Sequence, residues 1–91
     1  MRVVIAGAGL VGRGLARRLV ASKHDVTVIE TDRGICEQIY AQIGAQVVCG
    51  SATAIATLEE AEVERADCAA AAMRHDSDNL CFALLARHMG V

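Results

Sequence analysis

The sequence has no proline, no tryptophan and very few aromatic residues. Among its 91 residues only Tyr40 and Phe82 are aromatic, whereas 54% are hydrophobic. We therefore expect a core built from Val, Ile, Leu and Ala, in which helices and strands pack closely. A chain of this length buries about 60–65% of its surface on folding, which is sufficient for one core. Since no linker or repeat interrupts the sequence, we predict a single domain over residues 1–91.

The chain also lacks an excess of basic residues and a long apolar run. Its formal net charge is −2, and Arg13, Arg17 and Arg18 form the only basic cluster. We interpret this cluster as a solvated helix face, with attraction of phosphate as the alternative, and we expect no nucleic-acid partner. No segment approaches the ~18–20 consecutive apolar residues of a membrane span. The N-terminus lacks the features of a secretion signal, so we expect a cytoplasmic chain.

Metal-binding spacing is absent as well. Cys36, Cys49, Cys68 and Cys81 form no C-x-x-C pair, and no histidine stands at ligand spacing beside them. We expect no metal site and interpret the cysteines as small buried hydrophobes, with a redox or metal role as the alternative.

Short β-branched runs alternate with segments of helical periodicity, which predicts parallel strands joined by helices. The predicted fold class is α/β, with a Rossmann-like sheet of about four strands in the order 3-2-1-4 and helices on both faces. The predicted strands are 2–6, 26–30, 45–49 and about 67–73, and the predicted helices are 10–21, 32–43, 53–62 and 77–89.

Two helices carry apolar residues at helical spacing, and two have candidate N-terminal caps. The apolar positions are Val11, Leu15 and Leu19 in the first helix and Ile35, Ile39 and Ile43 in the second. The candidate caps are Thr31 or Asp32 for the second helix and Asp76, Ser77 or Asp78 for the last.

The segment Gly7-Ala8-Gly9-Leu10-Val11-Gly12 matches G-x-G-x-x-G between a predicted buried strand and a helix. In this context Gly7 makes the tight turn, Gly9 lets a diphosphate approach the backbone, and Gly12 allows close packing of helix on strand. The N–H groups at the start of the helix then face the phosphates.

Glu30 ends the second predicted strand, 18 residues after Gly12. An acid near this spacing accepts hydrogen bonds from the adenosine ribose and repels a 2′-phosphate. NAD(H) is therefore favoured over NADP(H), although Arg33 nearby keeps NADP(H) as an alternative.

Ligands of open parallel sheets bind outside the carboxyl ends of the strands. Ser51 and Ala52 would lie beside the adenine, and Met73 and Arg74 across the diphosphate. The predicted cofactor-binding residues are Gly7, Ala8, Gly9, Leu10, Val11, Gly12, Glu30, Thr31, Ser51, Ala52, Met73 and Arg74, with no catalytic residue. In an alternative interpretation, the cofactor-binding half of an NAD-dependent dehydrogenase, His75 and Asp76 would be the candidate acid and base, but neither has an evident orienting partner.

The whole chain resembles the N-terminal nucleotide-binding lobe of Trk/Ktr potassium-uptake regulators, the TrkA-N or RCK domains. The resemblance depends on the order of several short motifs: 7–13 with 15–16, 24–30, 50–53, 58–61, 66–67 and 76–80. It implies a non-catalytic cytoplasmic sensor, peripheral at the inner face of the membrane. The nucleotide of such a sensor, NAD(H) or ATP/ADP, alters a ring on a potassium channel or transporter.

Two positions depart from the family pattern. Ser51 stands where the family usually has aspartate, and Leu10 stands where ATP-preferring members often have arginine, which implies NAD(H) here. Such lobes normally continue through two further strands, so we expect the chain, truncated relative to a full lobe, to be either a fragment or a minimal domain that a partner completes. The last helix spreads Leu80, Phe82, Leu84, Leu85 and Met89 around much of its circumference, which predicts a homodimer or ring.

Overall fold

A computed structural model describes all residues, 1–91, as alternating strands and helices. The elements are β1 (Arg2–Ala6), α1 (Leu10–Ala21), β2 (Asp25–Glu30), α2 (Arg33–Gln42), β3 (Gln46–Cys49), α3 (Ile55–Glu60), a 3₁₀ turn (Val63–Arg65), β4 (Cys68–Ala71) and α4 (Asp76–His88).

The four strands form one parallel sheet in the order β3-β2-β1-β4, which confirms the predicted topology. In the register, Ile5 of β1 lies between Val28 of β2 and Ala70 of β4. The central strands are long and β-branched, whereas β3 and β4 have four residues each and form the edges. All four strands end at the same edge of the sheet, beside the bend that follows β1.

Alternation along β1 divides the core into two layers. Val3 and Ile5 face one side with Ile39 of α2, and Val4 and Ala6 face the other side with Phe82 of α4. Because successive side chains of a strand point to opposite faces, this run of apolar residues is covered by helices on both sides. The expected core of aliphatic residues and alanine is present, and Phe82 is its one aromatic member.

Several predicted boundaries and caps differ from the structure. β4 ends at Ala71 rather than Met73, and α3 ends at Glu60. Asp32 caps α2, since its Oδ1 accepts the Ile35 N–H at 3.1 Å. For α4 the cap prediction was wrong: the extended residue His75 precedes the helix and its carbonyl accepts the first helical bonds. Asp76 and Asp78 lie instead in the first turn, where a carboxylate interacts favourably with the helix dipole.

The predicted burial of the cysteines was wrong in part, whereas Val11, which was predicted as a cofactor-binding residue, is 72% exposed in the first turn of α1. Cys36 is buried, but Cys49 and Cys68 are exposed and Cys81 is half-buried. Cys49 and Cys68 belong to the two edge strands, where one neighbour is missing.

Candidate functional site

The bend after β1 is fixed by the strands on either side of it. The Gly7 N–H donates to the Ile29 carbonyl at 2.8 Å, and the Ala72 N–H donates to the Ala6 carbonyl at 2.8 Å. Gly7 has a φ of +102°, and a Cβ at this position would lie 2.5 Å from the Ala72 carbonyl oxygen. Gly7 therefore meets both the conformational and the steric requirement for glycine in a tight turn.

Gly12 and Gly9 serve different purposes in this bend. A Cβ on Gly12 would lie 2.1 Å from the Gly7 carbonyl oxygen, so the first turn of α1 packs directly on the bend. A Cβ on Gly9 would meet no atom within 4 Å. The space above Gly9 is therefore open, which is a requirement for any ligand group that approaches the backbone there.

Four backbone donors at the bend have no acceptor within the chain. The first helical bond of α1 runs from the Arg13 N–H to the Gly9 carbonyl, which leaves the N–H groups of Gly9, Leu10, Val11 and Gly12 unpaired. Leu10 is 92% exposed, so its side chain leaves the backbone of the bend uncovered. Unpaired N–H groups together with the positive end of a helix form an anion-binding arrangement.

The carboxylate of Glu30 lies at the end of β2 and faces the bend. Its Oε1 accepts the Ala8 N–H at 3.0 Å, and its Oε2 accepts the Asp32 N–H at 2.9 Å and the Thr31 hydroxyl at 3.4 Å. A carboxylate has about four lone-pair sites, so further acceptor capacity remains. The bond from Thr31 is the longest of the three.

The segment after β3 forms a tight turn beside Glu30. The Ser51 hydroxyl accepts the Thr53 N–H at 3.2 Å and lies 2.8 Å from the Thr53 hydroxyl. Ala52 is buried and belongs to the core layer beneath the cleft. Because the two hydroxyls share one hydrogen bond, one hydroxyl hydrogen remains free to donate to a ligand.

The segment after β4 is held by Asn79 of α4. Its Oδ1 accepts the Met73 N–H at 2.8 Å, and its Nδ2 donates to the Met73 carbonyl at 3.1 Å. This pair of bonds fixes the backbone from which Arg74 and His75 project. No carboxylate lies within 4 Å of the Arg74 guanidinium, and the His75 ring makes no hydrogen bond within the chain.

These segments surround one cleft of about 730 Å³, which is within the usual size range of ligand pockets. Every predicted cofactor-binding residue except Gly12 lines it, and Gly12 supports it from below. The lining also contains residues outside the predicted cofactor-binding set, namely Ile29, Asp32, Ile35, Gly50, Thr53, Ala72, His75 and Asp78. Asp32, Thr53 and Asp78 follow predicted strands by a few residues, so the rule that placed Ser51 and Arg74 could have found them.

The charged side chains of the cleft are mostly acidic. Glu30, Asp32 and Asp78 line the cleft together with Arg74, while Arg33 is absent from the lining. Arg13 turns away from the mouth: its Nε donates to the Ala8 carbonyl at 3.3 Å and its Nη1 to Gln38 at 3.4 Å. The cleft therefore has one permanent cation to accompany the N–H groups of the bend.

The fold and the glycine bend define a Rossmann-like α/β domain of the nucleotide-binding type. Residues 3–91 match the model of the TrkA-N domain. The chain belongs to the TrkA-N domain family.

Known proteins of this family include close relatives of the chain. It is 42% identical over 91 residues to the Trk system potassium uptake protein TrkA homolog of Methanothermobacter thermautotrophicus, and the match covers all of this chain and 42% of that protein. The chain spans less than half the length of the curated relatives it matches.

Solved structures share the fold. The TrkA-N domain of the Escherichia coli inner membrane protein ybaL superposes with a TM-score of 0.89 at 25% identity, over 97% of this chain and 64% of that one. The AMP-bound Kef CTD of Shewanella denitrificans gives 0.81 at 24% identity, over 97% and 52%. The anaerobilin reductase ChuY of E. coli O157:H7 gives 0.79 at 20%, over 100% and 47%. The similarity to the Kef and ChuY structures is evidence of a shared fold alone.

None of the helices combines the length and apolarity required to cross a membrane. The structure also brings together no group of three or more His, Cys, Asp or Glu side chains that could hold a metal ion.

Proposed function

We propose that residues 1–91 form a single nucleotide-sensing domain that binds NAD(H) in the cleft and regulates a potassium uptake system or channel. The observation that carries the proposal is the set of unpaired N–H groups at Gly9, Leu10 and Val11, next to the carboxylate of Glu30. The amides hold the diphosphate and Glu30 accepts the ribose hydroxyls. The names of the curated relatives support the link to potassium uptake.

The charges of the cleft favour NAD(H) over the other nucleotides. Three carboxylates and one arginine line it, which disfavours the additional negative charge of ATP. A 2′-phosphate would meet Glu30 and Asp32, and Arg33 lies outside the lining, so NADP(H) is disfavoured. ATP or ADP is the second candidate, because the resemblance to the family implies either of them as an alternative to NAD(H), and a protein of the same fold has AMP bound.

The proposed function is regulatory and not enzymatic. Hydride-transfer enzymes need an oriented acid or base, yet His75 lacks a hydrogen-bonded partner and Asp76 is outside the lining of the cleft. The rival function, the cofactor-binding half of a dehydrogenase, has the fold of the reductase in its favour. In the regulatory role the domain acts in the cytoplasm, peripherally at the inner face of the membrane, on a membrane-embedded potassium transporter or channel.

The exposed face of α4 supports a homodimer or ring. Leu80 and Leu84 are 62% and 60% exposed, while Phe82 on the other face is buried. Exposed leucines beside the free edge of β4 are suited to association. Sedimentation at micromolar concentration checks this part of the proposal: an oligomer supports it, and a monomer contradicts it.

Calorimetric titration of the chain with NADH, NADPH, ATP, ADP and AMP tests the ligand assignment. We expect NADH to bind more tightly than the other four and to undergo no hydride transfer when carbonyl substrates are added. Tighter binding of ATP or ADP would contradict the assignment of NAD(H) but would leave the proposed sensing role intact. Binding of none of the five nucleotides would contradict the whole proposal.

The Gly9→Ala variant locates the ligand in the same titration. Since the new methyl group meets no protein atom within 4 Å and Gly9 has a φ of −74°, its thermal unfolding should match that of the unchanged chain. The methyl group would occupy the space that the diphosphate needs, so NADH affinity should fall about tenfold or more. Unchanged affinity would show that the phosphates bind elsewhere.

A further inference from the structure

Two cysteines meet at the end of the sheet that carries Glu30. Cys36 lies in the first turns of α2, and Cys49 is the last residue of β3, in register with Glu30. The Cys36 thiol lies 3.3 Å from the Glu30 carbonyl, and the Cys49 thiol lies 3.7 Å from the Thr31 carbonyl. The two sulfurs therefore lie against consecutive carbonyls of one short segment.

The register of the sheet makes the two thiols neighbours, because Cys49 is paired with Glu30, whose carbonyl accepts the Cys36 thiol. The other cysteines belong to different parts of the fold, because Cys68 lies on the opposite edge strand and Cys81 on α4, across the sheet from α2. Cys36 and Cys49 are thus a pair that the sequence spacing did not reveal.

The two thiols have different environments, and the difference predicts which of them reacts first with an oxidant. Burial raises the pKa of Cys36 to about 12, with further contributions from Cys49, Glu30 and Asp32. Cys36 is therefore a protonated thiol at neutral pH. Cys49 is exposed, so an oxidant reaches Cys49 before it reaches the buried Cys36.

We propose that Cys36 and Cys49 form a dithiol modification site, which hydrogen peroxide oxidises to an intramolecular disulfide. The Cys49 thiolate attacks a peroxide oxygen, an S–O bond forms as the O–O bond breaks, and the hydroxide released takes up a proton to become water. The Cys36 sulfur then attacks the sulfenic sulfur of Cys49. The S–S bond forms as the S–O bond breaks, and the leaving hydroxide departs as water with the Cys36 proton. In sum, two thiols lose two electrons and one peroxide is reduced to two waters.

Closing the disulfide changes the support of the cleft. Both S–H donors are lost, so the Glu30 carbonyl loses the Cys36 bond and the Thr31 carbonyl loses the Cys49 bond. The two carbonyls belong to the segment 30–32, which also positions the Glu30 carboxylate and the Asp32 cap. We expect about a tenfold loss of NADH affinity, a consequence that depends on the proposed function, whereas the disulfide does not.

The experiment treats the reduced chain with hydrogen peroxide at low protein concentration and analyses it by mass spectrometry. Cleavage after Glu37 separates the two cysteines, so a link between peptides 31–37 and 38–59 identifies the bond. The expected result is a loss of two hydrogen atoms in this linked pair. Cys68→Ser removes an exposed cysteine at the other edge and should leave the link unchanged, whereas Cys49→Ser should abolish it.

Other results overturn the proposal. Oxidation of Cys49 to sulfinic acid without a link, or a link through Cys68 or Cys81, would show that Cys36 does not capture the oxidised sulfur. NADH affinity, measured before and after oxidation, is a separate readout. Equal affinity in a linked chain would refute the coupling to the cleft, and a reduced chain that never binds NADH would refute the proposed function while the link remains measurable.

Discussion

Replacing Gly12 with alanine is expected to remove a large part of the stability of the folded chain. The new Cβ would lie 2.1 Å from the carbonyl oxygen and 3.0 Å from the carbonyl carbon of Gly7. These are backbone atoms, and Gly7 is itself bonded to β2, so the clash is relieved only by moving α1 away from the sheet. Overpacking of this kind costs about 3 kcal/mol, which would lower the melting temperature by roughly 12–24 °C.

Gly14→Ala is the matched control for this prediction. Gly14 lies two residues further along the same helix, and a Cβ there meets no atom within 4 Å. Alanine is favoured over glycine inside a helix by about 1 kcal/mol, so the melting temperature should stay equal or rise. Thermal unfolding followed by circular dichroism compares the two variants. If Gly12→Ala had the same melting temperature as Gly14→Ala, the close contact between α1 and the bend would be refuted.

Replacing Glu30 with alanine is expected to weaken NADH binding about 10- to 100-fold. A hydrogen bond to a charged group contributes about 1.5–3 kcal/mol, and the carboxylate is the group that we assign to the ribose hydroxyls. The same change removes the bonds to the Ala8 and Asp32 N–H groups, so the stability of the domain should also decrease. Calorimetric titration below the melting temperature separates the two effects.

The ratio of NADH to NADPH affinity distinguishes ribose recognition from damage to the bend. Loss of the bend would lower both affinities equally. Loss of the carboxylate removes the ribose acceptor for NADH and the repulsion of the 2′-phosphate for NADPH, so the preference for NADH should shrink. Glu30→Asp keeps the charge and should retain part of the preference. A preference in Glu30→Ala as strong as in the unchanged chain would contradict the assignment.

The alternation of elements and the position of the bend were predictable because both have strong local signals. β-branched runs mark β1 and β2, and Gly7 and Gly12 satisfy steric requirements that the neighbouring backbone confirms. β4 is an alanine-rich segment whose composition favours helix, and it was predicted only because the alternation required a strand. The structure confirms it by its pairing with β1.

What could not be predicted depends on contacts between distant residues. The lining residues Ile29, Ile35 and Ala72 lie near the strand ends, but only the packed structure shows that they reach the cleft. Burial of each cysteine depends on which strands are edges and on what covers their ends. The bidentate bonds of Asn79 to Met73 likewise join elements that sequence spacing alone does not relate.

The most direct test of the nucleotide site is a titration of the ¹⁵N-labelled chain with NADH, observed through its backbone amide NMR signals. The account predicts that the signals of Gly9, Leu10 and Val11 shift most, because their N–H groups gain the phosphate oxygens as acceptors. Signals near Glu30 should shift with them at the same ligand concentrations. Saturable binding of NADH that leaves the amides of the bend unchanged would contradict the account.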